Sequence, residues 1–105
     1  MGSIKVARTV QQVLDAIESF SPKDGDWLAL DELLDELWQL GVTQDAVPVL
    51  LGVFERFPDE DGAGVLWSIV HGLEGMEGYE SDLRASLTRT PSMMATIMLN
   101  RLEKS

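Results

Sequence analysis

Apolar residues recur along this chain at spacings of three and four, with polar residues between, and that period predicts helices throughout. Val6, Val10, Val13, Leu14, Ile17 and Phe20 form one stripe, with Arg8, Gln12, Asp15 and Ser19 opposite. "SPKDGD" then breaks the helix through Pro, Gly and capping residues. The second helix runs from about Trp27 to Leu40, with Asp26 as the N-cap candidate, Gly41 as the stop and Leu30, Leu33, Leu34 and Leu37 as its core stripe. Thr43 or Asp45 opens a third, whose Pro48 belongs in the first turn, where a missing amide is tolerated. It ends near Phe57, before Pro58 and "DEDG".

The fourth helix is "GVLWSIVHGLEGM", with Asp61 upstream as a candidate cap. Val65, Ile69, Leu73 and Met76 line one face, joined by Leu66 and Val70. "YESDLRASLTRT" predicts a short fifth helix around Leu83 and Leu87. "PSMMATIMLNRLEK" predicts a sixth that starts at Pro91 or Ser92, with Met94, Met98 and Leu102 inward. No stretch shows a sustained period of two bounded by hairpin turns, so no strand is assigned. The fold class is all-α: about six short helices in three helical hairpins, joined by loops of about two to six residues. Stacked hairpins give a small right-handed α-solenoid resembling HEAT or armadillo units. The "AVPVLLGVFERF" helix, with its early proline, followed by an acidic turn and a second apolar helix, is the pattern behind that likeness. A compact helical bundle satisfies the same pattern, because strict internal repetition is absent.

Length bounds the organisation: 105 residues make one domain with room for one core. Residues 1–5 are expected to be a flexible N-terminus, in which Gly2 and Ser3, the pair a cloning scar would leave, carry no weight. The chain has no cysteine, which excludes disulfides and thiolate sites and fits a reducing cytosol. Its longest apolar runs, such as "AVPVLLGVF", fall far short of the roughly 20 residues that span a bilayer, and the start lacks a signal-peptide apolar region. A cytoplasmic protein with no membrane partner is the expectation.

Charge changes the picture most. Eighteen acids against eight bases give a net −10, and seventeen of those acids lie between Thr9 and Leu83 beside only Lys23 and Arg56. The sign inverts at the end, where Arg84, Arg89, Arg101 and Lys104 face Glu103. Direct nucleic-acid binding needs Lys and Arg to neutralise phosphates, so this surface excludes it. A basic protein partner is the natural complement, since opposite potentials speed encounter; simple solubility is the bland alternative.

Two stretches carry candidate chemistry. In "WSIVHGLEGMEGYE" the chain places its only His and its only Tyr among Gly72, Gly75, Gly78, Glu74, Glu77 and Glu80. On a helical wheel Trp67, His71 and Glu74 share a strip beside the apolar arc, while Ser68, Gly72 and Gly75 fill the next sector. His71 and Glu74, three apart, are within hydrogen-bonding reach. A His71 general base oriented by Glu74 would lack a nucleophile, and one His with carboxylates forms no zinc framework. "DEDGAG" lacks the EF-hand spacing, so no metal or other cofactor is assigned. Each mid-helix glycine costs roughly 1 kcal/mol against alanine. Either a neighbouring helix approaches closely, with His71 bonded in the interior, or Trp67, His71 and Tyr79 are contact residues amid the carboxylates.

The second stretch is "DGDWLALDELLDELWQ". Trp27 and Trp38 edge the leucine stripe, flanked by Asp31 and Asp35, and Glu32 and Glu36 extend the acid outward. Asp31–Asp35 and Glu32–Glu36 are like-charge pairs at four residues, each mildly destabilising, with no lysine interleaved. Either this is a solvated face or it meets positive charge. Asp59, Glu60 and Asp61 in "PDEDG" add a third acidic element, most simply a capped turn.

"AVPVLLGVFERFPDEDGAGVLWSIVHGLEGMEGYESDLRASLTRTPS" resembles the small acidic helical immunity proteins of bacterial polymorphic-toxin and contact-dependent inhibition systems. The resemblance covers roughly the C-terminal two thirds. It rests on a Trp–x3–His–x2–Glu helix, then Tyr–Glu and a Ser/Thr–Arg–x–Pro turn: Trp67, His71, Glu74, Tyr79, Glu80 and Arg89–Pro91. It implies a non-catalytic protein that binds and blocks the toxin C-terminal domain of its own cell. Many such toxins are basic nucleases, which an acidic inhibitor can cap by imitating phosphate charge. The alternative is a HEAT-like adaptor that takes a helical peptide in a concave groove through apolar contacts.

Overall fold

The computed structural model describes residues 9–104, and those residues form six α-helices with no strand beyond one isolated bridge pair, Lys23 and Asp26. They are α1 (Val10–Glu18), α2 (Leu28–Leu40), α3 (Ala46–Arg56), α4 (Leu66–Glu74), α5 (Glu80–Arg89) and α6 (Met93–Lys104). Val6, Arg8 and the expected flexible start at 1–5 lie outside the described residues.

Local chemistry sets the helix ends. Thr9 opens α1 with a reciprocal capping box: its hydroxyl accepts from the Gln12 amide at 3.1 Å, and its own amide donates to Gln12 Oε1 at 2.8 Å. At α2 the N-cap position falls on Trp27, but the Asp26 carboxylate still accepts the Leu28 amide at 2.9 Å. Asp45 and Asp61 make no such side-chain bond. The backbone carbonyl of Asp61 instead accepts the amides of Gly64 and Leu66, each at 3.1 Å, in a turn that delays α4 to Leu66. Ser92 is the cap of α6, its hydroxyl accepting from Ala95 at 3.3 Å.

Burial follows the predicted stripes. Val13, Leu14, Ile17, Leu30, Leu34, Leu37, Leu66, Ile69, Val70, Leu73, Met94 and Met98 are in the core, with Leu33, Val65, Met76 and Leu102 packed against it. The helix α3 is the centre: Ala46, Val47, Leu50, Leu51, Val53 and Phe54 are all buried, because it has neighbours on most sides. The neighbours are ordered in two layers. Helices α1, α3 and α5 lie side by side, as do α2, α4 and α6, and each odd helix also meets the even helix that follows it. That is the neighbour order of three stacked hairpins, and an added contact between α3 and α6 closes it into a compact all-α bundle. The linkers at 19–27 and 57–65 are longer than the two to six residues expected, since both fold back as turns on the core.

Two polar ties fix the odd layer. Arg56, at the end of α3, donates to the carbonyls of Ile17 at 2.8 Å and Phe20 at 3.4 Å, supplying partners for the last turn of α1. Glu55 joins α3 to α5, accepting from the buried Ser86 hydroxyl at 2.8 Å and from Arg89 at 2.9 and 3.2 Å. These bonds, led by that from Arg89, hold the Glu55 carboxyl below the ordinary glutamate value of 4.5, against an opposing effect of burial. A depressed folded-state pKa means that the unfolded chain binds the extra proton, so stability rises with pH across this window. The Glu55 contribution is complete above about 4.5 and is lost as pH falls through the lower folded value. Urea titrations between pH 3 and 7 should show a shallower acid limb for Glu55→Gln than for the wild type; equal limbs would contradict this.

Candidate functional site

The two sectors predicted on α4 point to different neighbours. Gly72 faces α2: a Cβ built there would lie 2.4 to 2.9 Å from ring atoms of Trp38, so the bare backbone is the seat of that indole. The close-packing expectation therefore holds at Gly72. It does not extend to Gly75, where a Cβ would meet only carbonyls of its own helix at 3.6 Å. Gly78 lies in the next turn against Gln44, whose amide donates to the Glu77 carbonyl at 2.6 Å.

The strip of Trp67, His71 and Glu74 faces away from that seat. The Glu74 carboxylate is taken by Arg101 of α6, through Nε at 2.8 Å and a second nitrogen at 3.0 Å. It is therefore not the orienting partner of His71. His71 is exposed rather than bonded in the interior, and its ring sits 6.0 Å from the half-buried Trp67 ring at 39°. Tyr79 is only 9% exposed, at the N-terminal end of α5, so its ring belongs to the core rather than to an exposed aromatic face. Burial, then the charges of Glu74 and Glu80, raises its phenol pKa above the ordinary value. Trp38, spread over Gly72, is half-buried and likewise belongs to the packing.

The acids separate into two groups. Glu74, Glu77 and Glu80 lie at the end where 41–45 meets 77–78, and two of them are compensated: Glu74 by Arg101, Glu80 by Arg84 at 3.0 Å. Glu77 is exposed. The other group lies at the start of α2, the length of that helix away, roughly 20 Å at 1.5 Å per residue. There Trp27 is buried between loops, 5.1 Å from the Phe57 ring edge-on and 5.7 Å from the Phe20 ring. Gly62 packs on the same indole: a Cβ at that position would stand 3.0 Å from it. Phe57 and Gly62, which bracket Asp59, Glu60 and Asp61, therefore both pack on Trp27, the N-cap residue of α2, so the 58–62 turn lies at the end of the helix whose first turn carries Asp31. From there Glu32 and Asp35, both exposed, and the half-buried Glu36 continue along the helix. Among the described residues Asp31, Glu32, Asp35, Asp59, Glu60 and Asp61 form no ion pair.

Periodicity marks only one of these ties. The Glu80–Arg84 pair was legible as an i,i+4 spacing, and the C-terminal bases were visible as a sign change. That Arg89 and Arg101 reach Glu55 and Glu74, 34 and 27 residues back, was not. Among the described residues no group of three His, Asp or Glu side chains could hold a metal, and no helix is long and apolar enough to cross a membrane. No protein-family profile matches the chain, and no curated protein or solved structure matches it either.

Proposed function

We propose that this chain is a non-catalytic binding protein of the immunity type, which captures and blocks a basic toxin domain through the edge formed by α2 and the 58–62 turn. The observation that carries this is the unpaired acid on that edge: six carboxylates, from Asp31, Glu32, Asp35, Asp59, Glu60 and Asp61, with no cation among the described residues against them. Like charges four apart on α2 lower helix stability, and a cationic partner removes that repulsion on binding. Long-range attraction would then steer the encounter and raise the association rate. A nuclease toxin offers such a partner, because its substrate site is built for phosphate.

The test uses the C-terminal domain encoded by the gene directly upstream. Asp31→Asn, Glu32→Gln, Asp35→Asn, Asp59→Asn and Glu60→Gln together should slow association at least about tenfold at low salt and flatten its salt dependence, because exposed attraction is screened within about 8 Å at 0.15 M. Glu77→Gln should change it far less. The same five changes should raise the melting temperature slightly, by relief of self-repulsion. Unchanged association kinetics would sink the proposal. The adaptor alternative expects weak salt dependence, and it needs an apolar groove; the exposed Leu28 and Leu40 instead stand at opposite ends of α2.

A further inference from the structure

Beside the compensated pair Glu74–Arg101 lies an open pocket of about 300 Å³, lined by Glu74, Tyr79, Arg101 and Leu102. Tyr79 is more than nine-tenths buried, yet its hydroxyl makes no hydrogen bond with a described residue, and among the described residues no buried side-chain nitrogen or oxygen is left sealed without a partner. A buried phenol with no partner among the described residues, and not sealed, turns its hydroxyl to the opening. Each oxygen of Glu74 gives one lone pair to Arg101 and keeps another. The pocket thus presents acceptors on two sides and an apolar wall, Leu102, on a third.

We infer that this pocket is the seat of one cationic side chain, a lysine or arginine, of the basic partner. The inference rests on the partner being basic, but on residues separate from the α2 edge. Three features select a cation over an anion. Burial is the first reason that the Tyr79 phenol is harder to ionise, and the negative charges of Glu74 and Glu80 around it, which outweigh the positive charge of Arg101, add to it. The spare positions on Glu74 are acceptors only. Leu102 suits the aliphatic stem of Lys or Arg, whose heads reach polar groups while the stems stay on apolar surface. An anion would meet Arg101 alone, with two of its donors already committed to Glu74.

The site can be tested without the partner, so its failure and that of the α2 edge are distinguishable. n-Butylguanidinium is titrated at pH 7 while the ring signals of Tyr79 and the methyl signals of Leu102 are followed by NMR. Tyr79 is the only tyrosine, so its ring needs no assignment. Saturable shifts are expected, absent with tetramethylammonium or sodium chloride at equal ionic strength. Parallel titration with n-butylammonium tells whether arginine or lysine is the better occupant. Glu74→Gln should weaken binding roughly tenfold, the weight of one charge-assisted bond. Because Glu74→Gln also frees Arg101, Tyr79→Phe is the second variant; it removes the hydroxyl alone and should weaken binding about threefold, as for one neutral hydrogen bond. Shifts shared by all the salts, or unchanged affinity in both variants, would overturn the assignment.

Discussion

Replacing Trp27 with alanine should lower the unfolding free energy by about 3–5 kcal/mol, the usual cost of deleting a buried large aromatic. The total for a domain of this size is only about 5–15 kcal/mol, so the variant should sit near the edge of folding. The reason is the number of elements that meet on one indole. Trp27 is 7% exposed, with the Phe20 ring tilted at 5.7 Å, the Phe57 ring edge-on at 5.1 Å and Gly62 packed on its face. The linkers 19–27 and 57–65 have few other apolar residues to hold them down. Thermal melts followed by circular dichroism should show a fall of at least roughly 12 °C, taking about 4 °C per kcal/mol. Trp27→Phe keeps part of the contact and should fold. In that variant the amides of Gly64, Val65 and Leu66, which close the 61–66 turn, should exchange faster than those of α3. A stability loss under about 1 kcal/mol for Trp27→Ala would show that the turn is held by something else.

The same residue shows where reading the chain in order reached its limit. The six helices were legible from a 3.6-residue apolar period and, at α2 and α3, from Pro and Gly punctuation: Gly41 and Pro58 follow their ends, and Pro48 stands in the first turn of α3. The core followed from the same stripes. Trp27, by contrast, falls at the edge of the leucine stripe of α2, which reads as a boundary position. Its burial comes from the 57–65 linker folding over it, a contact between residues thirty or more apart that no local period records. The late start of α4 has the same source, since the turn over Trp27 consumes residues that would otherwise extend the helix.

The site was legible as composition and not as arrangement. Acid on α2, in the 58–62 turn and around 74–80 could be read as three equivalent elements of one surface. Folding distinguishes them, because the C-terminal bases return to particular acids: Arg101 to Glu74 and Arg84 to Glu80, with Arg89 serving the interior-facing Glu55. Net charge counts those acids alike, whereas the fold leaves some compensated and others not. Tyr79 and His71 exchanged places for a similar reason. On α4 the residue with polar atoms, His71, lies on the far side from the core, while Tyr79, in a glycine-flanked turn that carries no helical period, drops onto it.

Gly72→Ala should destabilise the protein by about 2 kcal/mol, within the range of core overpacking, although glycine to alanine inside an exposed helix would gain roughly 1 kcal/mol. The sign is decided by Trp38. A methyl group at Gly72 would stand 2.4 Å from one ring carbon of the indole and within 2.9 Å of two more. The obstacle is the body of a rigid ring rather than the tip of a flexible chain, so either the indole swings into solvent or α2 and α4 move apart. Gly75→Ala, in the same helix's last turn, meets nothing closer than 3.6 Å and should be nearly neutral. The decisive comparison is a double-mutant cycle. In a Trp38→Ala background the obstacle is gone, and Gly72→Ala should become stabilising by up to roughly 1 kcal/mol. A reversal of sign between the two backgrounds, measured by urea unfolding, identifies Gly72 as the seat of an indole. The same loss in both backgrounds would mean that the glycine is required by the backbone itself. The reversal would also show that the Gly72 face of α4 is what holds that helix against α2.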